Sequence, residues 1–134
     1  MAVYIQKHQI LDRLKKEPLA DISDMLDNYV LGQLAMEEQD KTEQEIRDDF
    51  WDSWRETADC TRLQGELALV TLGMLGGVEA LIAAPETPQE AKSAYSRAYR
   101  WSRNSPMWAA MAPQLGKTDE DIDDFFRLAQ SIQG

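Results

Sequence analysis

The sequence has very little cysteine and histidine, the side chains that bind zinc and that often act as nucleophile and general base. Its 134 residues include one cysteine, Cys60, and one histidine, His8. A single thiol cannot form an internal disulfide, and no cluster of histidine and cysteine has the spacing of a zinc site. We therefore expect no metal site, no cofactor and a reducing, cytoplasmic compartment. Asp59 should raise the pKa of the neighbouring thiol on a predicted helix, which predicts an unreactive cysteine.

Phosphate-binding glycine motifs and an apolar leader are also missing. Neither GxxxxGK[ST] nor GxGxxG occurs in the chain. The N-terminal residues contain no long apolar stretch, which predicts no signal peptide. The longest apolar run, 67–84, contains Glu79 and three glycines and is marginal in length for a bilayer. We therefore predict a buried core helix there and no membrane segment.

Basic side chains are in the minority. The chain has 24 acidic and 14 basic residues, a formal net charge of −10 and a pI near 4.5. Such a field repels phosphate backbones and anionic lipid and attracts basic protein surfaces. We therefore expect no direct binding to nucleic acid or membrane, and a protein partner with a basic surface.

The charge is distributed unevenly along the chain. Residues 17–66 hold 15 acids and 4 bases, whereas residues 92–103 hold four bases and no acid. These bases are Lys92, Arg97, Arg100 and Arg103. We expect them to face away from the core, where the C-terminal end of a helix favours positive charge. A contact with the acidic segment, within the chain or between subunits, is the alternative.

Composition and periodicity predict an all-α fold. The chain has 43% hydrophobic and 28% charged residues and the length of one domain, so we expect a single α-helical domain over residues 1–134. We predict a compact bundle of about five to seven helices around a central apolar helix near Leu67–Leu81. The aromatic residues expected to be at least partly buried are Trp54, Trp101, Phe125 and Phe126.

Polar residues with the pattern of N-terminal caps divide the chain into helices. The predicted capping residues are Thr42, Thr87, Ser105 and Thr118. We predict helices over about 3–16 and 19–38 before the helix that starts at Thr42, and a helix from Thr87 to about Arg103. Residues 67–72 also fit a buried strand, but because the sequence shows no convincing partner strand we predict a helix.

Acidic side chains gather on one side of the helix that starts at Thr42. Successive helical residues are about 100° apart, and six carboxylates then fall within one arc of roughly 100°. These residues are Glu45, Asp48, Asp49, Asp52, Glu56 and Asp59. Ile46, Phe50 and Trp54 fall on the opposite side, so a row of acids about 21 Å long faces away from an apolar face.

This row has two interpretations. It is either a solvated face that keeps the protein soluble, or a docking surface whose carboxylates take positions on a partner that otherwise hold phosphates. A solvated helix more often alternates Lys and Glu at i and i+4. We therefore predict a non-enzymatic protein–protein interaction module that docks these six acids on a basic partner, such as a nucleic-acid-binding complex.

The size, charge and helical content resemble, at the level of a class, several groups of small acidic proteins without catalytic motifs. One group is the phage-encoded inhibitors of host defence, such as anti-CRISPR and anti-restriction proteins. Others are phage assembly factors and bacterial adaptor subunits. The resemblance implies a nucleic-acid-mimicking inhibitor, with an assembly factor or adaptor subunit as the alternative.

One enzyme class stays open because of residue spacing. Helical Mg²⁺-dependent nucleotide pyrophosphohydrolases use Glu-x-x-Glu and Glu-x-x-Asp pairs as metal ligands. The corresponding pairs here are Glu37 with Asp40, Glu45 with Asp48, and Glu56 with Asp59. Such a site needs acids from two facing helices around a wet pocket. Because most of these acids lie on one helix, we expect no enzymatic activity.

Gly73 and Gly77 have the GxxxG spacing that permits two helices to approach closely. The spacing favours packing within the chain and leaves a homodimer contact open. The many large apolar residues, including four tryptophans and six methionines, lead us to expect weak self-association.

Overall fold

A computed structural model describes residues 4–36 and 40–133, which form eight helices and two short strands. The helices are α1 (Lys7–Lys16), α2 (Ser23–Leu34), α3 (Glu43–Thr57), α4 (Arg62–Thr71), α5 (Leu75–Ala83), α6 (Gln89–Arg97), α7 (Pro106–Met111) and α8 (Asp119–Ser131). The strands are β1 (Asp59–Thr61) and β2 (Arg100–Ser102). The predicted all-α class is confirmed, and the described part of the chain has one helix more than the upper predicted number.

The chain divides into two compact units, Met1–Trp54 and Arg55–Gly134. The first unit contains α1, α2 and most of α3, and the second contains the last turn of α3 and every later element. The single domain over residues 1–134 stays a prediction.

The first unit packs α1, α2 and α3 around aliphatic and aromatic side chains. Its buried residues include Ile10, Leu14, Leu26, Tyr29, Val30, Ile46, Phe50 and Trp54. Within each helix they recur every three or four residues, the period of a helix face that packs against a core. Arg47 connects α3 to α2, because its Nη2 lies 2.8 Å from Asp27 Oδ1. The same atom lies 2.9 Å from Oε1 of Glu43, one turn earlier on α3.

Three of the four predicted N-terminal caps are confirmed. The Thr42 hydroxyl accepts from the Glu45 N–H at 3.2 Å, and Glu45 accepts from the Thr42 N–H at 3.3 Å. Thr118 and Asp121 form the same reciprocal pair at α8, and the Ser105 hydroxyl caps α7. These bonds satisfy N–H groups that have no partner within the helix.

The predicted capping box at Thr87 is wrong. Helix α6 begins after Pro88, with no side-chain cap among the described residues. The Thr87 hydroxyl instead donates to the Leu81 carbonyl at 2.5 Å, in the last turn of α5. Helix α6 also ends at Arg97 and does not continue to Arg103, because the residues that follow form β2.

A strand pair that the sequence did not predict lies in the second unit. Strands β1 and β2 are antiparallel, with Cys60 opposite Trp101. Both side chains are buried, whereas Arg100 and Ser102 are exposed, which is the alternation of a strand. Three residues are too few for this alternation to differ from a helical pattern in the sequence. The expected helical position of Cys60 is therefore wrong.

Aromatic side chains fill the interior of the second unit around Trp108. The centroid of its ring system lies 4.9 Å from that of Phe125 and 5.7 Å from that of Phe126. Gly65 on α4 lies against Trp101, where a Cβ atom would be 2.3 Å from a ring carbon. The predicted burial is confirmed for all four aromatic residues, Trp54, Trp101, Phe125 and Phe126.

The long apolar segment is helical, as predicted, but it forms two helices. Gly73, at φ +69°, ends α4 in a Schellman motif. Its N–H donates to the Val70 carbonyl, and the Met74 N–H donates to the Leu69 carbonyl. Because Gly73 precedes α5, it does not share a helix face with Gly77. The predicted GxxxG contact therefore loses its geometric basis.

The expectation that the apolar segment is buried on all sides is wrong. Helix α4 buries one side through Gly65, Ala68 and Leu69. The opposite side, which we call the α4 outer face, consists of Leu63, Leu67 and Val70, whose exposed fractions are 53%, 40% and 59%.

Among the described residues, no single helix is long and apolar enough to cross a bilayer. The α4–α5 pair meets that test only when both helices are taken together, and it is bent by 117°.

Candidate functional site

Five of the six predicted acids lie on α3, and all five are exposed. These five residues, which we call the acidic face, are Glu45, Asp48, Asp49, Asp52 and Glu56. On the opposite side of the helix, Ile46, Phe50 and Trp54 are buried. At a rise of 1.5 Å per residue, the acidic face is about 16 Å long. The helix thus separates a carboxylate row from an apolar face, as the sequence predicts.

Asp59 is not part of the row on α3. The helix ends at Thr57, and Asp59 lies on β1, which shortens the row from its predicted length. The carboxylate of Asp59 receives two hydrogen bonds from Arg100, at 2.9 Å from Nε and 2.9 Å from Nη2. The hydrogen bonds from Arg100, together with its charge, lower the pKa of Asp59 below its usual range. Asp59 therefore belongs to a contact between the two strands.

Two members of the acidic face also stabilise α3 locally. Glu45 completes the cap with Thr42, and Asp49 forms an ion pair with Lys41. The hydrogen bond to Asp49 raises the pKa of Lys41. Asp48 accepts a hydrogen bond at 2.9 Å from Gln44, a neutral donor that leaves the carboxylate charge in place.

The basic segment does not face solvent as a whole. Arg97 is exposed, as expected, and Arg100 binds Asp59. Arg103 is only 8% exposed, so the expectation that it faces away from the core is wrong. The physical reason is that β2 replaces the end of the predicted helix and turns Arg103 towards α8, where it pairs with Asp123.

A buried ion-pair network around Asp123 was not predicted from the sequence. Asp123 is 5% exposed and accepts from Arg55 Nη2 at 2.7 Å and from Arg103 Nε at 2.7 Å. Buried charges are stable in proteins only when they are paired. A signal was present in the sequence, because Asp123 lies within the apolar stripe of α8 between Ile122 and Phe126. This network connects Arg55 at the end of α3 and Arg103 directly after β2 to Asp123 on α8.

Cys60 is fully buried on β1. Burial, with a smaller contribution from the charge of Asp59, raises the pKa of its thiol to about 12. The predicted direction is confirmed, although burial is the larger cause. At neutral pH the side chain is a protonated, weakly nucleophilic thiol.

The Glu-x-x-Asp pairs do not assemble a metal site in the described residues. Glu56 and Asp59 lie on different elements, Glu45 serves as a cap, and the pair of Glu37 with Asp40 falls partly outside the described residues. In residues 4–36 and 40–133, no three His, Cys, Asp or Glu side chains are grouped to hold a metal ion.

Neither a protein-family model, nor a curated protein, nor a solved structure matches this chain.

Proposed function

We propose that the chain is a non-enzymatic interaction module that docks the acidic face of α3 on a basic surface of a partner protein. The observation that supports this proposal is the row of five exposed carboxylates on the side of α3 opposite its buried aromatic face. From Glu45 to Glu56 the row has one charge per about 4 Å of helix axis, compared with about 3.4 Å for one strand of B-DNA. A surface that binds a nucleic-acid backbone therefore meets a similar linear charge density.

The distribution of charge supports the same face. Residues 1–54 hold 13 acids and 6 bases, a balance of −7, whereas residues 55–134 hold 11 acids and 8 bases, a balance of −3. Most of the net charge therefore belongs to the unit that contains four of the five acids. Such a field steers a basic partner and accelerates its association, and salt screens this effect.

The proposed partner is a cytoplasmic protein whose Lys and Arg side chains otherwise hold phosphates. In that role the chain is a nucleic-acid-mimicking inhibitor of the anti-CRISPR or anti-restriction kind. An assembly factor or adaptor subunit is the second candidate, because it would use the same acidic face on a partner that does not bind nucleic acid.

The experiment compares capture of the partner by the native chain and by two triple variants of equal net charge. One variant is Asp48→Asn, Asp52→Asn and Glu56→Gln, which leaves the cap of Glu45 and the ion pair of Asp49 intact. The control is Asp12→Asn, Glu79→Gln and Asp124→Asn, three exposed acids on other helices. The partner retained from a lysate is identified by mass spectrometry, purified, and its affinity for each form is measured.

We expect the acidic-face variant to bind the purified partner about tenfold more weakly, since each exposed charge pair contributes about 0.5 kcal/mol. The control variant should bind like the native chain. Equal loss in both variants would show that only net charge matters, and no loss in either would show that the acidic face is only solvated.

A short DNA duplex separates the two kinds of partner. If the partner's groove holds nucleic acid, added duplex and the native chain should exclude each other from the purified partner. Complexes that persist in saturating duplex would contradict the mimicry proposal and favour the assembly factor or adaptor subunit.

The enzyme alternative is tested directly with the purified chain. We expect no turnover of nucleoside triphosphates with Mg²⁺ or Mn²⁺. Turnover that is lost in both Glu45→Ala and Asp48→Ala would overturn the non-enzymatic proposal, because each substitution removes one member of the Glu-x-x-Asp pair on α3.

We also propose that the chain self-associates, through the α4 outer face and not through the glycine pair. Leu63, Leu67 and Val70 are exposed together on one side of α4. Arg62 and Glu66 form an ion pair at 3.0 Å on the same helix, so the charges beside the face are balanced. Two chains of charge −10 approach with least repulsion where the local charge is neutral.

Light scattering of matched variants tests this contact. The double variant Leu63→Gln and Val70→Gln should lower the average mass at micromolar concentration. The control Leu19→Gln and Leu31→Gln changes two leucines of similar exposure elsewhere, and we expect no effect. A monomer mass of 15.3 kDa for the native chain at all concentrations would contradict self-association.

A further inference from the structure

A pocket of about 400 Å³ lies in the second unit, between the turn after β2, helix α7 and the start of α8. Its apolar lining includes Trp108, Ala112 and Ile122, and its charged lining includes Arg103, Lys117 and Asp119. Small-molecule sites commonly have about 300–1,000 Å³ and combine an apolar wall with a few polar groups. The size and the lining of this pocket therefore match a site for a compact organic molecule.

The buried cation of the pocket retains donors for a ligand. Arg103 Nε donates to Asp123 at 2.7 Å, and Nη2 donates to the carbonyl and the carboxylate of Asp119 at 3.3 and 3.2 Å. None of the hydrogen bonds that Arg103 makes with described residues uses Nη1. A guanidinium has five N–H donors, so Arg103 can still donate to an oxygen atom in the pocket.

The negative groups near Arg103 only partly compensate its charge. Asp123 Oδ1 also accepts from Arg55 Nε at 3.0 Å, so its charge is shared between two guanidinium groups. The side chain of Asp119 is 80% exposed, so water screens its charge. Lys117 adds a second cation to the lining. Two of the three charged residues that line the pocket, Arg103 and Lys117, are therefore cations, with Asp121 close enough to Lys117 for its carboxyl to feel that charge.

We propose that this pocket binds a small organic anion. The anionic head accepts from Arg103 and Lys117, and a compact apolar body lies against Trp108, Ala112 and Ile122. Arg103 thus has more donors than the described acceptors satisfy. This site shares no residue with the acidic face, so it is independent of the proposed docking function.

The probes for this site are benzoate and phenyl phosphate, with benzamide as the neutral analogue and inorganic phosphate as the anion without an apolar body. Binding to the full chain is followed by the tryptophan indole resonances in ¹H–¹⁵N spectra. We expect saturable binding of benzoate or phenyl phosphate in the millimolar range or below. Benzamide and inorganic phosphate should each bind at least about fivefold more weakly, since each lacks one half of the interaction.

Three variants connect binding to the pocket. Lys117→Gln removes one lining cation and should weaken benzoate binding about fivefold, as expected for one charge-assisted hydrogen bond. Ala109→Leu fills the pocket from α7 and should abolish binding. The control Lys92→Gln removes a cation on α6 that does not line the pocket, and binding should stay unchanged.

Two results would overturn the proposal. One is equal binding of benzamide and benzoate, which would show that the pocket does not select an anion. The other is benzoate binding that is equally strong in the native chain and in Ala109→Leu, or that is absent from both. If Lys117→Gln fails to fold, Ala109→Leu and the benzamide comparison still decide the question.

Discussion

Asp123 is the residue at which the polar contacts of the second unit meet. It is buried on the apolar side of α8 and shares its two oxygens between Arg55 and Arg103. In an apolar interior, a buried charge that loses its partner costs far more than an exposed one. Because two guanidinium groups share this buried carboxylate, the second unit should be sensitive to this residue.

The substitution Asp123→Asn should lower the free energy of unfolding by about 3–5 kcal/mol, the cost of removing one partner from a buried ion pair. The adjacent Asp124→Asn is the matched control, and because Asp124 is exposed we expect a change within about 0.5 kcal/mol. Urea unfolding curves of the two variants decide between these outcomes. Equal stability of both would show that the network contributes little.

Asp59 gives a weaker, pH-dependent contribution. Its hydrogen bonds from Arg100 hold the folded-state pKa below the usual range, so the pair stabilises the fold at pH values above the unfolded pKa of about 4. That contribution is lost as the pH falls through the folded pKa. Because both side chains are more than a third exposed, the effect should stay below about 1 kcal/mol. The native chain should therefore be slightly more stable than Asp59→Asn near neutral pH, and this difference in the free energy of unfolding should disappear on acidification. A stability difference that grows at low pH would contradict the assignment.

At the scale of secondary structure, sequence periodicity predicts helices better than it predicts the short strands between them. The caps at Thr42, Ser105 and Thr118 are local, since the side chain and the N–H it binds are within three residues. The β1–β2 pair joins residues about 40 positions apart, for example Cys60 and Trp101, over only three residues in each strand. Single-sequence patterns contain no information on such a pairing.

Helix α4 provides a test of how closely the helices pack. A Cβ atom at Gly65 would lie 2.3 Å from the Trp101 ring, so Gly65→Ala should destabilise the fold by about 1–3 kcal/mol through overpacking. Gly76 on α5 has no atom within 4 Å of the same position, so Gly76→Ala should be neutral or stabilise by up to about 1 kcal/mol. The thermal unfolding temperature should fall in Gly65→Ala and stay the same or rise in Gly76→Ala. A Gly65→Ala protein as stable as the native chain would show that Trp101 does not pack against Gly65.

At the scale of the whole molecule, the charge distribution predicts the candidate site better than it predicts the ion pairs. The row on α3 follows from helical periodicity alone, and five of its six predicted members lie on the helix and are exposed. Asp59 and Arg103 depart from the prediction because tertiary contacts, with Arg100 and with Asp123, determine their positions. The pocket at Arg103 also depends on tertiary structure, since its lining comes from separate elements.

The most direct test of the docking proposal is the association rate constant between the purified partner and the chain, measured at several ionic strengths. The native chain and the control Asp12→Asn, Glu79→Gln, Asp124→Asn should associate more slowly as salt increases, with similar slopes. The variant Asp48→Asn, Asp52→Asn, Glu56→Gln should associate more slowly at low salt and depend less on salt, because its steering charges are gone. Identical rates and slopes for the two triple variants would contradict the proposal that the acidic face of α3 is the docking surface.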